Sequence, residues 1–285
     1  MMKSLIKAIV LFPSWILYKV LKTYDKAISS IFMQLSGAIR QPFINYIDND
    51  LKLTQHGSAK FYLYTPNSIC KYRHATFSTK EPEMLEWIEE FGGGVFFDVG
   101  ANIGIYSLYY SQVQQGSIYC FEPSAFNLRQ LAKNISINNL HKRISIISNP
   151  LSDKTCISSF INGSEDEGGA LSAFGVDYGY NNKPMISNIN YSVLGFSLDD
   201  LFEKNILKEI PSLMKIDVDG IEHLILKGAS KILESKILKS VYIEVNDEFH
   251  EQSSQVKLRL ETAGFKLKER RHAASRVFNQ IWVKE

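Results

Sequence analysis

Asp98, Gly100, Asn102, Gly104 and Glu122 carry the strongest chemical signal in this sequence. In Val95-Phe-Phe-Asp-Val-Gly-Ala-Asn-Ile-Gly104 an apolar run ends on Asp98 and passes through a glycine-flanked stretch, which predicts a buried strand, a tight turn and a helix. A dinucleotide-binding turn of the G-x-G-x-x-G type sets glycine amides and a helix N-terminus against a pyrophosphate. Here Gly100 and Gly104 flank Asn102, the three-glycine spacing is missing, and Asp98 would repel that anion. A ligand bearing an ammonium group suits the turn better, and S-adenosylmethionine is such a ligand. Its ribose needs an acceptor further along the sheet, and Glu122 ends the next apolar run, Ser117-Ile-Tyr-Cys-Phe-Glu122. Glycine at 100 and 104 would suit any strand-to-helix turn, so it is the Asp98 and Glu122 pair that points to this cofactor.

A sulfonium donor carries an activated methyl group, so the protein has only to align an acceptor oxygen and relieve it of a proton. Asp217 ends the run Leu213-Met-Lys-Ile-Asp217 and is the first candidate for that base, with His250 in reserve because it titrates in the useful range. Structural hydrogen bonding to the next turn is the competing reading of Asp217. Lys215 shares the strand face of Asp217 and offsets its charge. Asp219-Gly-Ile-Glu222 has the spacing of a capping box, which explains both acids structurally. Glu244 and Asn246 fall at the end of a later apolar run. No spacing of His, Cys, Asp or Glu demands a metal, and none is expected.

The elements that would hold these residues alternate strand and helix from Val95 onward, the pattern of a doubly wound α/β sheet. Helices are predicted over 103–114, near 125–139 and over 221–230. Strands are predicted at Ile144–Ser148, Leu213–Asp217 and Val241–Val245. The tail, Gly264–Arg270 and Val277–Val283, gives two strands with no long helix between them, so a mostly parallel sheet with an antiparallel last strand is expected. Upstream, Ala59–Tyr64 and Ile69–Arg73 alternate about Pro66-Asn67 and suggest a hairpin, and Lys80-Glu-Pro-Glu83 starts a helix that ends at Gly92-Gly-Gly94. Roughly Asp153 to Phe196 is a long polar excursion, read as a substrate lid or a mobile loop. Its Tyr178, Tyr180, Asn181 and Asn182 resemble a sugar-binding surface, and a loop without ligand contact is the equal alternative.

Composition sets outer limits. The 285 residues are 45% hydrophobic with net charge +2, enough for a full core and too weakly basic for nucleic-acid binding by bulk charge. Cys70, Cys120 and Cys156 are too few and too far apart for a disulfide framework, which favours a reducing, cytoplasmic setting. Residues 1–50 read as a helical arm ahead of a domain at 51–285. Lys3, Lys7, Lys19, Lys22 and Lys26 against Asp25, with Trp15 and Tyr18, suit a helix lying at an anionic membrane surface, while packing on protein or on a second subunit remains the other reading. Ala8 to Tyr18, the charge-free part, is too short to span a bilayer.

Taken in order, Asp98-Val-Gly-Ala-Asn-Ile-Gly104, Phe121-Glu-Pro123, Ser197-Leu-Asp-Asp-Leu201 and Lys215-Ile-Asp-Val-Asp-Gly-Ile-Glu222 with Lys227-Gly-Ala229 resemble the FkbM-type methyltransferases, as do Glu81-Pro82 and Asn279-Gln-Ile-Trp-Val283. The family usually has Glu at the position of Asp219 and Thr at that of Ser197. The resemblance implies a class I methyltransferase, Rossmann-like fold and O-methylation of a hydroxyl on a saccharide, glycolipid or other natural product. It also implies that Asp98, Gly100, Asn102 and Gly104 line the methionine end of the cofactor and Glu122 holds its ribose. Pro123 and Ser124 would border the adenosine, and Ser152 the adenine edge. A nicotinamide-dependent oxidoreductase and a membrane-associated scaffold without activity are the competing classes.

Overall fold

The computed structural model describes residues 15–24, 26–27, 40–187, 189–274 and 276–284. The chain divides into two units, Met1–Asp50 and Leu51–Glu285. In the first, residues 15–24 are helical and helix α1 spans Arg40–Asp48. The Lys19 ammonium lies 5.3 Å from the Trp15 ring centre and that of Lys22 lies 5.7 Å from Tyr18. No helix among the described residues is long and apolar enough to cross a membrane. Lys3, Lys7 and Asp25 of the predicted arm lie outside the described residues.

The second unit is built on a seven-stranded sheet. Its first strand is β3 (Phe96–Val99), every residue of which is buried, as expected of a strand covered on both faces. Alternation of side chains divides it between two cores: Phe97 and Val99 join one, and Phe96 joins Trp87 and Tyr110 in the other. The order is β11 (Phe265–Ala274), β12 (Val277–Lys284), β10 (Ser240–Asn246), β9 (Leu213–Ile216), β3, β4 (Ile118–Phe121), β5 (Ile144–Ile147). Strands β10, β9, β3, β4 and β5 run parallel, whereas β12 is antiparallel to both β10 and β11, as its tail pattern predicted. The chain moves from β3 outward through β4 to β5 and then returns to β9 on the other side of β3. The crevice between β3 and β9 is therefore a topological switch point, where open α/β sheets take their ligands.

Two predicted elements differ. Strand β2 (Ala59–Tyr64) pairs with β1 (Leu51–His56) across a turn with Gly57 at φ +55°, and Ile69–Arg73 belongs instead to helix α2 (Ser68–Lys80). Asn67 decides this, because its side chain accepts the Cys70 amide at 2.8 Å and so caps the helix. The excursion holds a three-stranded antiparallel sheet, β7 (Ala173–Phe174), β6 (Cys156–Asn162) and β8 (Ile189–Gly195), in the order β7-β6-β8. Helix α3 (Pro82–Phe91) has Pro82 in its first turn and buries Met84, Leu85, Trp87 and Ile88, as its pattern requires.

Candidate functional site

The turn after β3 is fixed by backbone geometry before any ligand is considered. Gly100 has φ +80°, and a Cβ there would lie 1.9 Å from the Asp217 carbonyl, so only glycine lets β3 and β9 approach this closely. Gly104 has φ +85° and begins helix α4 (Ile105–Val113). Asn102, at φ +53°, gives its amide to Glu122 Oε2 at 2.7 Å, while the Ser124 amide meets Oε1 at 2.8 Å. Burial pushes the Glu122 carboxyl up to about 7, even though the amides of Ser124 and Asn102 hold it down.

Asp98 is wholly buried and its charge is answered inside the protein. Ser107 Oγ donates to Oδ2 at 2.7 Å and Lys215 Nζ stands 3.2 Å from Oδ1. Lys215 also donates to Gly100 O at 2.9 Å and lies 3.5 Å from Asp217 Oδ2. Burial alone would lower the Lys215 pKa, but Asp98 and then Asp217 outweigh it and the net shift is upward.

Around the β3–β9 crevice lies a cleft of about 910 Å³, counting its open mouth. Of the predicted residues, Gly100, Asn102, Glu122, Pro123, Asp217 and Asp219 form its wall. Asp98, Gly104, Ser124 and Ser152 do not line it. Ser152 is buried with its amide on Phe196 O at 2.8 Å, and Ser124 is spent on Glu122. His250 is exposed at the first residue of helix α9 (His250–Thr262), off the cleft wall, because the turn before α9 carries it past the strand edge. Glu244, at the end of β10, is also off the wall, and burial with Asp217, Glu222 and Asp219 raises its pKa to about 9.

Asp219 corrects the capping-box expectation. It sits at φ +67° and turns away from the following helix α7 (Glu222–Lys227), accepting the amides of Leu171 at 2.7 Å and Ser172 at 3.2 Å. Glu222 does reach back, to the amides of Gly220 and Val218. Burial and then Asp217 raise the Asp219 carboxyl to about 6, and burial raises Glu222 to about 7.

The excursion supplies part of the wall that sequence reasoning missed. Phe160 on β6 and Phe174 on β7 face each other across the small sheet and line the cleft with Leu151 and Phe121. Between β6 and β7 the segment Ser164–Ser172 forms a strap along the cleft. Asn102 Nδ2 and Asn127 Nδ2 donate to Gly169 O at 2.7 and 3.1 Å, and Asn127 Oδ1 accepts the Gly168 amide at 2.9 Å. Arg73 Nε donates to Gly168 O at 2.8 Å, and Asn67 Nδ2 to Glu167 O at 2.9 Å. Tyr106, whose hydroxyl donates to Glu81 at 2.5 Å, was likewise unforeseen. Tyr178, Tyr180, Asn181 and Asn182 make a tight turn off the wall, in which Tyr180 O accepts Asn246 Nδ2 at 2.9 Å.

A sulfonium nucleoside suits this donor set. Phe121, Leu151, Phe160 and Phe174 offer apolar surface for a base, Glu122 keeps acceptor capacity beyond its two amides, and carboxylates stand at the other side of the crevice.

The family model described as a methyltransferase FkbM domain matches residues 98–267, more than half of the chain. A search of curated proteins gave no match. Among solved structures, the methyltransferase FkbM from Methylobacillus flagellatus aligns with TM-score 0.47 and 14% identity, covering 87% of this chain and 59% of its own. The present chain thus spans about three fifths of that protein's length. Fibrillarin from Aeropyrum pernix, with natively bound S-adenosyl-L-methionine, gives TM-score 0.46 and 11% identity over 83% of each chain. Precorrin-6y C5,15-methyltransferase from Geobacter metallireducens gives 0.43 and 10% over 72% of this chain and 87% of that one.

Proposed function

The chain belongs to the FkbM methyltransferase family, and on that premise we propose that it transfers a methyl group from S-adenosylmethionine to a hydroxyl oxygen of a saccharide, glycolipid or related hydroxylated compound. The observation that carries the proposal is the pairing, across one crevice, of the glycine turn and Glu122 with an acid, Asp217, that reaches the cleft wall. When bound, the cofactor supplies an electrophilic methyl group on sulfur.

The protein's own work is positional. Glu122 accepts hydroxyl donors on the ribose side, with its orientation set by the Asn102 and Ser124 amides. The aromatic pair Phe160 and Phe174 and the strap keep water from the apolar half of the cleft. Asp217, whose side chain is 35% exposed beside a fully buried lysine, is open to the acceptor and takes or orients its proton. Asp219, also on the wall and raised to about 6, is the second group able to hold that proton near neutrality.

A hydroxylated small molecule is favoured over nucleic acid by the near-neutral net charge of +2. The basic and aromatic residues at 15–26 support a peripheral position at an anionic membrane, where a glycolipid acceptor would be found. Calorimetric titration with S-adenosylmethionine, S-adenosylhomocysteine and NAD tests the cofactor, followed by labelled methyl transfer to a panel of sugars and glycolipids. Binding of the first two and labelling of an acceptor hydroxyl are expected. Binding of NAD alone, or tight cofactor binding with label appearing only on nitrogen or carbon acceptors, would overturn the proposal.

A further inference from the structure

The cleft wall carries two cationic side chains, Lys215 and Arg73, and their surroundings differ. Lys215 is 2% exposed and satisfied by Gly100 O, Asp98 and Asp217. Its charge is consumed by the protein. Arg73, reaching the cleft from α2, gives only Nε to the strap, at Gly168 O. Among the described residues its two terminal amino groups meet no hydrogen-bonding or ion-pairing partner.

That arrangement has a physical consequence. One hydrogen bond through Nε fixes the plane of the guanidinium, and the two terminal nitrogens remain as a fork suited to both oxygens of a carboxylate. A half-buried cation that lines a ligand cleft and has no anion against it is complete only when a ligand brings one. Gly168, which Arg73 holds, adjoins Gly169, whose carbonyl takes Asn102 Nδ2 at 2.7 Å, so Arg73 stands on the side of the cleft with the turn that follows β3, and its charge helps hold the Asp219 carboxyl down. The acids on that same side, Asp217 and Asp219, suit an ammonium. An anion-seeking fork and two acids at one end match a zwitterionic amino-acid group, which a methyl donor of this kind carries and a simple sugar does not.

We propose that Arg73 binds the α-carboxylate of S-adenosylmethionine and so positions the amino-acid end of the cofactor. The proposal rests on the methyl-donor reading above. An acidic acceptor, such as a uronic acid, would present the same chemistry from a different source. The test is calorimetric titration of the full chain, of Arg73→Gln and of Arg73→Lys with S-adenosylmethionine and with its decarboxylated analogue, then with glucuronate in the presence of saturating S-adenosylhomocysteine.

The full chain should favour the carboxylated ligand by at least about tenfold. Arg73→Gln should erase that preference by weakening only the carboxylated ligand, and Arg73→Lys should keep part of it. Unchanged binding of the decarboxylated analogue by Arg73→Gln shows at the same time that the variant is folded. Equal losses for both ligands, or no loss for either, would overturn the proposal, as would glucuronate binding that depends on Arg73 while cofactor binding does not. Failure of the unaltered chain to bind either sulfonium ligand is a different result, which would remove the methyl-donor reading itself.

Discussion

At the tips of β3 and β4 the cleft is shaped by groups close in the chain, while along the strap it is shaped by groups far apart. Asn102 and Glu122 are 20 residues apart, and the bond between them joins two neighbouring strand ends of one parallel sheet. Arg73 and Gly168 are 95 residues apart and Leu171 and Asp219 are 48 apart, and each of these bonds joins the strap to an element of the main unit. The first region is held by backbone amides and a wholly buried ion pair, so it cannot change without disturbing the sheet. The second is held by side chains on its margins, so it can loosen while the sheet stays folded. Stability and ligand access are therefore expected to separate between them.

Asp98→Ala should have the largest effect and should fall on stability. It leaves Lys215, 2% exposed, with the partly exposed Asp217 as its remaining carboxylate partner, and breaking one side of such a buried pair costs about 3–5 kcal/mol. Urea unfolding with an unchanged slope checks it. A loss below about 1 kcal/mol would mean that the strand-tip region is not held by this pair, and the contrast with the strap would fail. Asp98 is thus a structural counter-ion to Lys215, and any fall in cofactor affinity in this variant should track the loss of fold.

Glu122→Gln should come next and should act on binding. The Asn102 and Ser124 amides meet different oxygens of Glu122, so in the glutamine one of them faces an NH2 donor, and S-adenosylhomocysteine affinity should fall by roughly a hundredfold from that mismatch and from loss of charge-assisted hydrogen bonds. The pH dependence sharpens this. In the free protein burial raises the Glu122 carboxyl from 4.5 to about 7, so its stabilising contribution is complete below 4.5 and is lost as pH rises through 7. A ligand that donates hydroxyls to the carboxylate favours the ionised form, so affinity should rise toward pH 7 by up to about tenfold per unit and then level. Titrations between pH 5.5 and 8.5 should show this slope in the unaltered chain and none in Glu122→Gln. A slope that persists in the variant would assign the titration to another group, with Asp219 the first to examine.

The same contrast explains what could be read from sequence. Gly100, Asn102 and Glu122 can be placed on the cleft from sequence because a parallel strand, its turn and the next strand tip form one local unit, whereas Asp98, read there as a partner for the ligand's ammonium, is turned to Lys215, a pairing across strands that the turn's spacing does not show. The antiparallel β12 was legible from a missing helix between β11 and β12. Arg73 was not, because Ile69–Arg73 alternates like a strand and only the Asn67 cap turns it into helix. Asp219 and Glu222 had the spacing of a capping box, yet Asp219 serves the strap, a partner 48 residues away that local spacing cannot reveal. Phe160 and Phe174 belong to strands whose pairing closes only when the excursion folds back on itself.

The strap itself gives the smallest effects and divides them by burial. Asn127 is 5% exposed and makes two bonds to the strap, through Gly169 O and the Gly168 amide. Removing it in Asn127→Ala leaves the Gly168 amide without its acceptor and Gly169 O with Asn102 Nδ2 alone, which should ease local opening by about 1–3 kcal/mol. Arg129 pairs with Glu167 at 2.6 Å, but its side chain is 48% exposed and that of Glu167 is 21% exposed. Solvent screens such a pair, so Arg129→Ala should ease opening by less than about 1 kcal/mol. Hydrogen exchange of the amides of Gly168 to Ser172 measures both, and global unfolding should shift less than local exchange in each variant. The comparison breaks if Asn127→Ala lowers global stability as far as it speeds exchange in the strap, because the strap would then open only when the whole sheet does. If the two effects separate, the cleft can be uncovered without unfolding, and the residues that govern its access lie on the strap's margins, away from the parallel strands that carry its chemistry.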